Sequence, residues 1–269
     1  MPRINDLDLK NWKQHQDIIT DSLWVIGARD KSGAHTGDYH GNFIPQIPNQ
    51  LMRRYTKKGD VVLDAFLGGG TTLIESRRLG RSGIGIELIP EVAEAAKKTI
   101  DRQLPLSDGI LTDVLVGDST TKETREKVIA TLGGWGKDSI HLIILHPPYH
   151  DIIKFSSREE DLCNAGTVED FTRKFGDVIE NFVDLLERGH CLAVVIGDKY
   201  TGGEWVPLGF YLMQETLKRG KELKLKSILI KNMVNNRAKR NQESLWRYRA
   251  LVGGFYIFRH EYILLFQKK

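Results

Sequence analysis

From residue 45 to the carboxyl end, short apolar runs alternate with helical stretches, and this alternation constrains the fold more than any other feature. "IPQIPNQLMRRYT" reads as a helix with Leu51, Met52 and Tyr55 on one face, and "DVVLDAF" as a strand. "TTLIESRRLG" reads as a helix closed by Gly80, "SGIGIEL" as a second strand, and "PEVAEAAKKTIDRQL" as a helix opened by Pro90. "ILTDVLVGD" and "IHLIIL" follow as strands. "TVEDFTRKFGDVIENFVDLLERG" is a long amphipathic helix, with Thr167 as its cap and Gly189 as its stop. "HCLAVVIGD" is a strand and "WVPLGFYLMQETLKRG" a helix. "LKLKSILIKN" and "HEYILLFQK" are two final strands with no helix between them, paired antiparallel at the edge. Such alternation predicts an α/β fold: a mostly parallel sheet with helices on both faces. Apolar runs without polar alternation fit strands buried on both sides. We read residues 1–269 as one domain with an amino-terminal extension over 1–40 that has no clear period.

Other readings are excluded by composition. No stretch approaches about eighteen uninterrupted apolar residues, as a membrane-spanning helix requires. The start, "MPRINDLDLKNWK", is polar and unlike a signal peptide. Two cysteines, Cys163 and Cys191, give no disulfide framework and point to a reducing cytoplasm. No His/Cys cluster has metal-ligand spacing, and no metal is expected. The net charge is only +4, yet residues 221–249 carry nine Lys/Arg against two acids, a net +7, which leaves −3 for the remainder. A basic segment this concentrated suits an anionic partner or a solvated loop.

Candidate ligand sites lie where strands end. "VLDAFLGGGTT" joins a strand to a helix through three glycines, which permit close backbone approach to a ligand. It is not the dinucleotide fingerprint, because Leu73 stands where the third glycine belongs, and it lacks the Gly-Lys-Ser/Thr of a P-loop. Asp64 ends the first of these strands, Glu87 the second and Asp118 the third. Three acids around one crevice disfavour a pyrophosphate and suit a nucleoside with a positive centre and no phosphate. S-adenosylmethionine meets that description. The fourth strand ends in His146-Pro147-Pro148-Tyr149, where two prolines force a turn.

The pair "DAFLGGGTT" and "HPPY", in this order on these elements, resembles the DNA amino-methyltransferases, which methylate N6 of adenine or N4 of cytosine. Their signature is Asp/Asn/Ser-Pro-Pro-Tyr/Phe after the fourth strand. "HGNFIPQIPNQLMRRYTKKGD" looks like the family's lead-in and "RHEYILLFQKK" like its closing strand, so the resemblance covers residues 35–269. It implies a seven-stranded Rossmann-like sheet, S-adenosylmethionine as cofactor, and double-stranded DNA as partner with the target base flipped out, as in restriction–modification. On this resemblance Phe43, Pro45, Asp64, Phe66, Gly68, Gly70, Thr71, Thr72, Glu87 and Asp118 hold the cofactor. His146 and the Pro147 carbonyl accept the amine hydrogens, Pro148 stiffens the turn, and Tyr149 stacks on the base. The histidine departs from the signature. Neutral His accepts through one nitrogen and His⁺ through none, so activity is expected to fall on acidification near the usual pKa of about 6.5. The candidate target reader is the insert 231–260, where Arg237, Lys239, Arg240, Arg247 and Arg249 interleave with Trp246. The loop "HDIIKFSSREEDLCN" is expected to close over the base. An RNA base-amine methyltransferase and a non-catalytic nucleic-acid binder stay open, as does the choice between monomer and homodimer.

Overall fold

The computed structural model describes residues 4–105, 107–233 and 243–269. The core is an eight-stranded sheet built from β1 (Leu23–Trp24), β2 (Val61–Asp64), β3 (Ser82–Glu87), β4 (Thr112–Val116), β5 (Ile140–Leu145), β6 (Leu186–Ile196), β9 (Leu223–Asn232) and β10 (His260–Lys268). Its order is β1-β9-β10-β6-β5-β2-β3-β4. β6, β5, β2, β3 and β4 run parallel, and β10 inserts antiparallel between β6 and β9. Strand order reverses between β2 and β5, which opens a crevice at their carboxyl ends.

Alternate residues of each strand feed two cores, as the two-residue repeat of a strand requires. On one face Val61 and Leu63 join Phe171, Phe175 and Val178 of α5 (Val168–Phe182) and Leu208 and Leu212 of α6 (Leu208–Arg219). That face also takes Val128 and Leu132 of α4 (Lys122–Gly134). On the other, Val62, Leu142 and Ile144 meet Ile47, Leu51 and Met52 of α1 (Gln46–Tyr55). A third cluster joins α2 (Thr71–Leu79) through Leu73 and Ile74 to α3 (Pro90–Asp101) through Ala96 and Ile100.

The sheet has eight strands rather than seven. The addition is β1, from the amino-terminal extension, which pairs parallel with the outer side of β9 and buries Trp24 to 1% exposure. β9 and β10 are antiparallel as expected, but β1 pairs with Ile230 and Lys231 on the outer side of β9. Thr167 does cap α5, accepting from Asp170 N. Gly189 does not stop it: the helix ends at Phe182, tightens through Val183–Leu185, and the chain enters β6 at Leu186. Residues 199–206 form a hairpin of β7 (Lys199–Thr201) and β8 (Glu204–Val206), so Trp205 is in a strand and α6 begins later. The turn is Gly202-Gly203, both with positive φ, a favoured two-residue hairpin sequence. A helix, α7 (Glu243–Gly253), lies between the last two strands, where none was expected. Both cysteines are buried and unpaired. Among the described residues no helix is long and apolar enough to cross a membrane.

Candidate active site

A cavity of about 850 Å³ opens at the carboxyl ends of β2, β3, β4 and β5. That volume is in the range of small-molecule sites. The amino-terminal extension supplies much of its wall, from Ile26 to Ile44, and Lys231 and Glu261 complete it from β9 and β10. Composition gave no hint of that wall.

The cofactor side is organised by backbone amides. Glu87 ends β3 on the cavity wall, where Oε2 accepts from Gly68 N at 2.9 Å and Oε1 from Ile89 N at 3.0 Å. Burial raises its pKa, and these amide bonds oppose the rise. Gly68 has φ +52, and a Cβ there would meet the Tyr39 ring at 2.8 Å, so the loop passes directly beneath that ring. Asp118 Oδ1 accepts from Thr120 N and Oγ1, both at 2.8 Å, while its side chain lines the cavity. Phe66, Gly68 and Phe43 also line it.

Asp64, Gly70, Thr71, Thr72 and Pro45 are placed elsewhere; none is on the cavity wall. Asp64 lies under the loop, 1% exposed, and accepts from Phe66 N at 3.0 Å and Thr72 Oγ1 at 2.5 Å. Burial pushes its pKa up to about 6. It shapes the loop, so two acids, not three, end at the crevice from these strands. Pro45 precedes α1 as its cap.

The turn after β5 forms the opposite wall. His146, Pro147, Pro148 and Tyr149 all line the cavity. The His146 ring stands edge-on to Phe43 at 4.9 Å between centroids and to Tyr149 at 5.7 Å. Burial pushes its pKa down to about 4, with Lys231 adding to the shift and Glu261 opposing it. The group is thus displaced below the usual histidine value of about 6.5 on which the expected acid limit rested. The Tyr149 hydroxyl donates to Glu261 Oε2 at 2.7 Å, and Lys231 Nζ donates to Glu261 Oε1 at 2.8 Å. Sequence reasoning missed this ion pair. Its partners are opposite each other across β9 and β10, and a lone Lys and Glu about thirty residues apart give no local pattern.

His150, next after the motif, was also missed. It has φ +52, unusual for a residue with a side chain. Lys199 Nζ donates to its Nδ1 and to Asp151 Oδ1, each at 2.7 Å, and its Nε2 donates to Ala165 O at 2.9 Å. These bonds hold the turn from both sides. The loop beyond lines the same cavity through Ile152, Ile153, Phe155 and Asp161 and meets the extension: Phe155 stacks on Tyr39, the residue over Gly68, at 6.1 Å. Ser156 Oγ donates to Asp161. Of the basic insert, Arg237, Lys239 and Arg240 lie outside the described residues. Arg247 and Arg249 are exposed on α7, with Arg249 5.4 Å from the half-buried Trp246 ring.

S-adenosylmethionine fits this donor set. Glu87 and Asp118 are acceptors for hydroxyl and amine hydrogens. His35, also on the cavity wall, donates from Nε2 to Glu75 Oε1 at 2.7 Å, and its buried Nδ1 has no partner among the described residues. That orphaned acceptor suits an ammonium or hydroxyl group.

Residues 4–98 match a family of DNA methylases. The chain is 33% identical over 100 residues to type II methyltransferase M2.DpnII of Streptococcus pneumoniae, covering 36% of this chain and 34% of that protein. It is 36% identical over 79 residues to M.BglI of Bacillus subtilis, covering 29% and 22%, and 40% identical over 52 residues to M.MjaII of Methanocaldococcus jannaschii, covering 19% and 10%. The chain therefore spans about a third or less of the length of these relatives. The fold is similar to that of a precorrin 8w decarboxylase from Methanobacterium thermoautotrophicum, with a TM-score of 0.51 and 13% identity over 90% of this chain and 100% of that one. It is similar also to that of a SAM-dependent methyltransferase from Methanosarcina mazei, at 0.50 and 12% over 84% and 98%. Over these stretches the chain is similar to DNA methylases and to type II methyltransferases, and its paired motifs lie on the wall of one cavity.

Proposed function

We propose that the protein methylates the exocyclic amine of a flipped DNA base, N4 of cytosine or N6 of adenine. The observation that carries this reading is one cavity with Glu87 and Asp118 on one wall and the His146-Pro147-Pro148-Tyr149 turn on the other. When bound, S-adenosylmethionine supplies an activated methyl group. Glu87 accepts hydrogen bonds from ribose hydroxyls, and Asp118 accepts from the adenine amine of the cofactor. Phe43 and Phe66 pack against its apolar surface, and Gly68 lets the chain approach it closely. Asp64, Thr71 and Thr72 act one layer back, by fixing the loop.

A base amine is a weak nucleophile because its lone pair is delocalised into the ring. Neutral His146 and the Pro147 carbonyl accept one amine hydrogen each, which draws the nitrogen toward pyramidal geometry and aligns it for transfer. Pro147 and Pro148 keep these acceptors preorganised. Tyr149 stacks on the base at roughly 1–3 kcal/mol, comparable with the few kcal/mol that flipping costs. Arg247, Arg249 and Trp246 on α7, with Arg237, Lys239 and Arg240, contact the backbone of the duplex.

The test is incubation with labelled S-adenosylmethionine and duplex DNA, in parallel with structured RNA, then mass analysis of the nucleosides. N4-methylcytosine or N6-methyladenine in the DNA supports the reading. Label confined to RNA replaces it with RNA methylation, and cofactor binding without transfer to either polymer replaces it with a non-catalytic binder.

A further inference from the structure

Lys231 and Glu261 come from the last two strands, yet their ion pair ends at the catalytic turn. Lys231 Nζ donates to Glu261 Oε1 at 2.8 Å, and the Tyr149 hydroxyl donates to Glu261 Oε2 at 2.7 Å. The carboxylate is the strongest acceptor within reach of that hydroxyl, so it takes the phenolic hydrogen. The Tyr149 oxygen then turns its lone pairs toward His146 Nε2, 3.4 Å away, in a long hydrogen bond. A lone pair cannot donate, so the hydrogen in this contact is on Nε2. A neutral imidazole carries one N–H, and Nδ1 is left bare. Nδ1 accepts from no described residue, and the ring plane is fixed edge-on to Phe43 and Tyr149.

We propose that Lys231, Glu261 and the Tyr149 hydroxyl form a positioning chain that sets the tautomer of His146, leaving Nδ1 as the acceptor for the substrate amine. The proposal rests on the amine-methylation reading above and adds to it the atom that accepts and the residues that select it. It also explains how histidine serves at this position. Asp, Asn or Ser presents an oxygen that accepts without outside help, and Tyr and Phe then alternate at the fourth place of the signature. With His146 the fourth residue has a second duty, because without its hydroxyl the ring has no reason to protonate at Nε2. Lys231 and Glu261 touch no reacting atom in this scheme; they act through Tyr149.

Nitrogen-15 spectra of ring-labelled histidines in the full chain test the tautomer directly, with the His146 signals assigned by their loss in His146→Asn. The expected wild-type pattern is Nε2–H with unprotonated Nδ1. Tyr149→Phe keeps the ring that packs against Gly197 and removes only the hydroxyl, so the pattern is expected to move to a mixture or to Nδ1–H. Glu261→Gln, a weaker acceptor, should give a smaller move in the same direction. An Nδ1–H pattern in the wild type, or an Nε2–H pattern that persists in Tyr149→Phe, overturns the proposal. These spectra need no methyl transfer, so their outcome is separable from that of the methylation assay. Where transfer is measured, Tyr149→Phe should lower kcat about tenfold in the His146 protein and by less than about threefold in the His146→Asn background. Equal losses in the two backgrounds would mean that the hydroxyl acts independently of the tautomer.

Discussion

At one wall of the cavity Glu87 is held by two backbone amides, whereas at the other Glu261 is held by a lysine and a tyrosine. Both carboxylates are buried at strand ends. The first arrangement is local: a strand, a glycine loop and the next strand bring the amides to the acid. The second joins β5, β9 and β10, and each partner is a side chain that a single substitution can delete. A backbone-held acid survives most changes around it, while a side-chain-held acid depends on every member of its set.

Lys231→Ala is the severest test of this difference. It strands a buried carboxylate and should cost about 3–5 kcal/mol in denaturant unfolding. A loss below about 1 kcal/mol would show that Glu261 does not depend on its partner. On the proposed mechanism His146→Ala removes an acceptor from the reacting amine and should lower kcat about 10²–10³-fold, the range for loss of one preorganised polar group at a reacting centre. His146→Asn retains an acceptor and should lose less. At the backbone-held wall, Glu87→Ala should weaken S-adenosylmethionine binding by about 10–100-fold in calorimetry, since hydrogen bonds to charged groups contribute about 1.5–3 kcal/mol. Its stability should change less than that of Lys231→Ala, because it frees neutral amides of Gly68 and Ile89 rather than leaving a buried charge without its counter-ion.

A pH series sharpens the comparison further. The His146 pKa is lowered from 6.5 to about 4, so on acidification the unfolded chain binds the proton first. The stability tied to this group is complete above pH 6.5 and is lost as pH falls toward 4, at up to about 1.4 kcal/mol per pH unit. His146→Asn should therefore lose less stability than the wild type between pH 7 and 5. As far as His146 governs it, the methylation rate should stay flat between pH 5 and 8. The smallest effect belongs to α7. Arg249→Ala should change stability by less than about 0.5 kcal/mol, as at other exposed sites, while reducing DNA affinity and its salt dependence.

The sequence disclosed the backbone-held wall more fully than the other. Strand ends, the glycine loop and the acids at 87 and 118 lie in contiguous stretches with their own signals. Asp64 was legible as a strand end but not as a buried loop anchor, because the hydroxyl it accepts from, on Thr72, belongs to the second residue of the next helix, eight positions on. The Pro-Pro turn was legible for the same local reason. Lys231, Glu261 and the Lys199 contact to His150 were not, because cross-strand and hairpin partners depend on register rather than spacing. α4 went unread because its apolar stripe is thin, reduced to Val128 and Leu132 among polar residues. The extension went unread because its wall over 26–44 is held by hydrogen bonds and aromatic contacts with no repeat.

The short strand β1 has a consequence for the order of folding. Ile26 N donates to Asn232 Oδ1 across 206 residues of chain, just past the pairing of Leu23 and Trp24 with β9. Contacts this remote in sequence form late, because their loop must close before they contribute. During synthesis Asp30, Ser32, Ala34, His35 and Asn42 meet their partners at Arg78, Gln103, Glu75 and Gly69 early, whereas Leu23, Trp24 and Ile26 wait for β9 to appear. The Ile26 end of the wall is thus closed near the end of folding, and a nascent chain that ends before β9 carries the glycine loop beside a wall still open at that end.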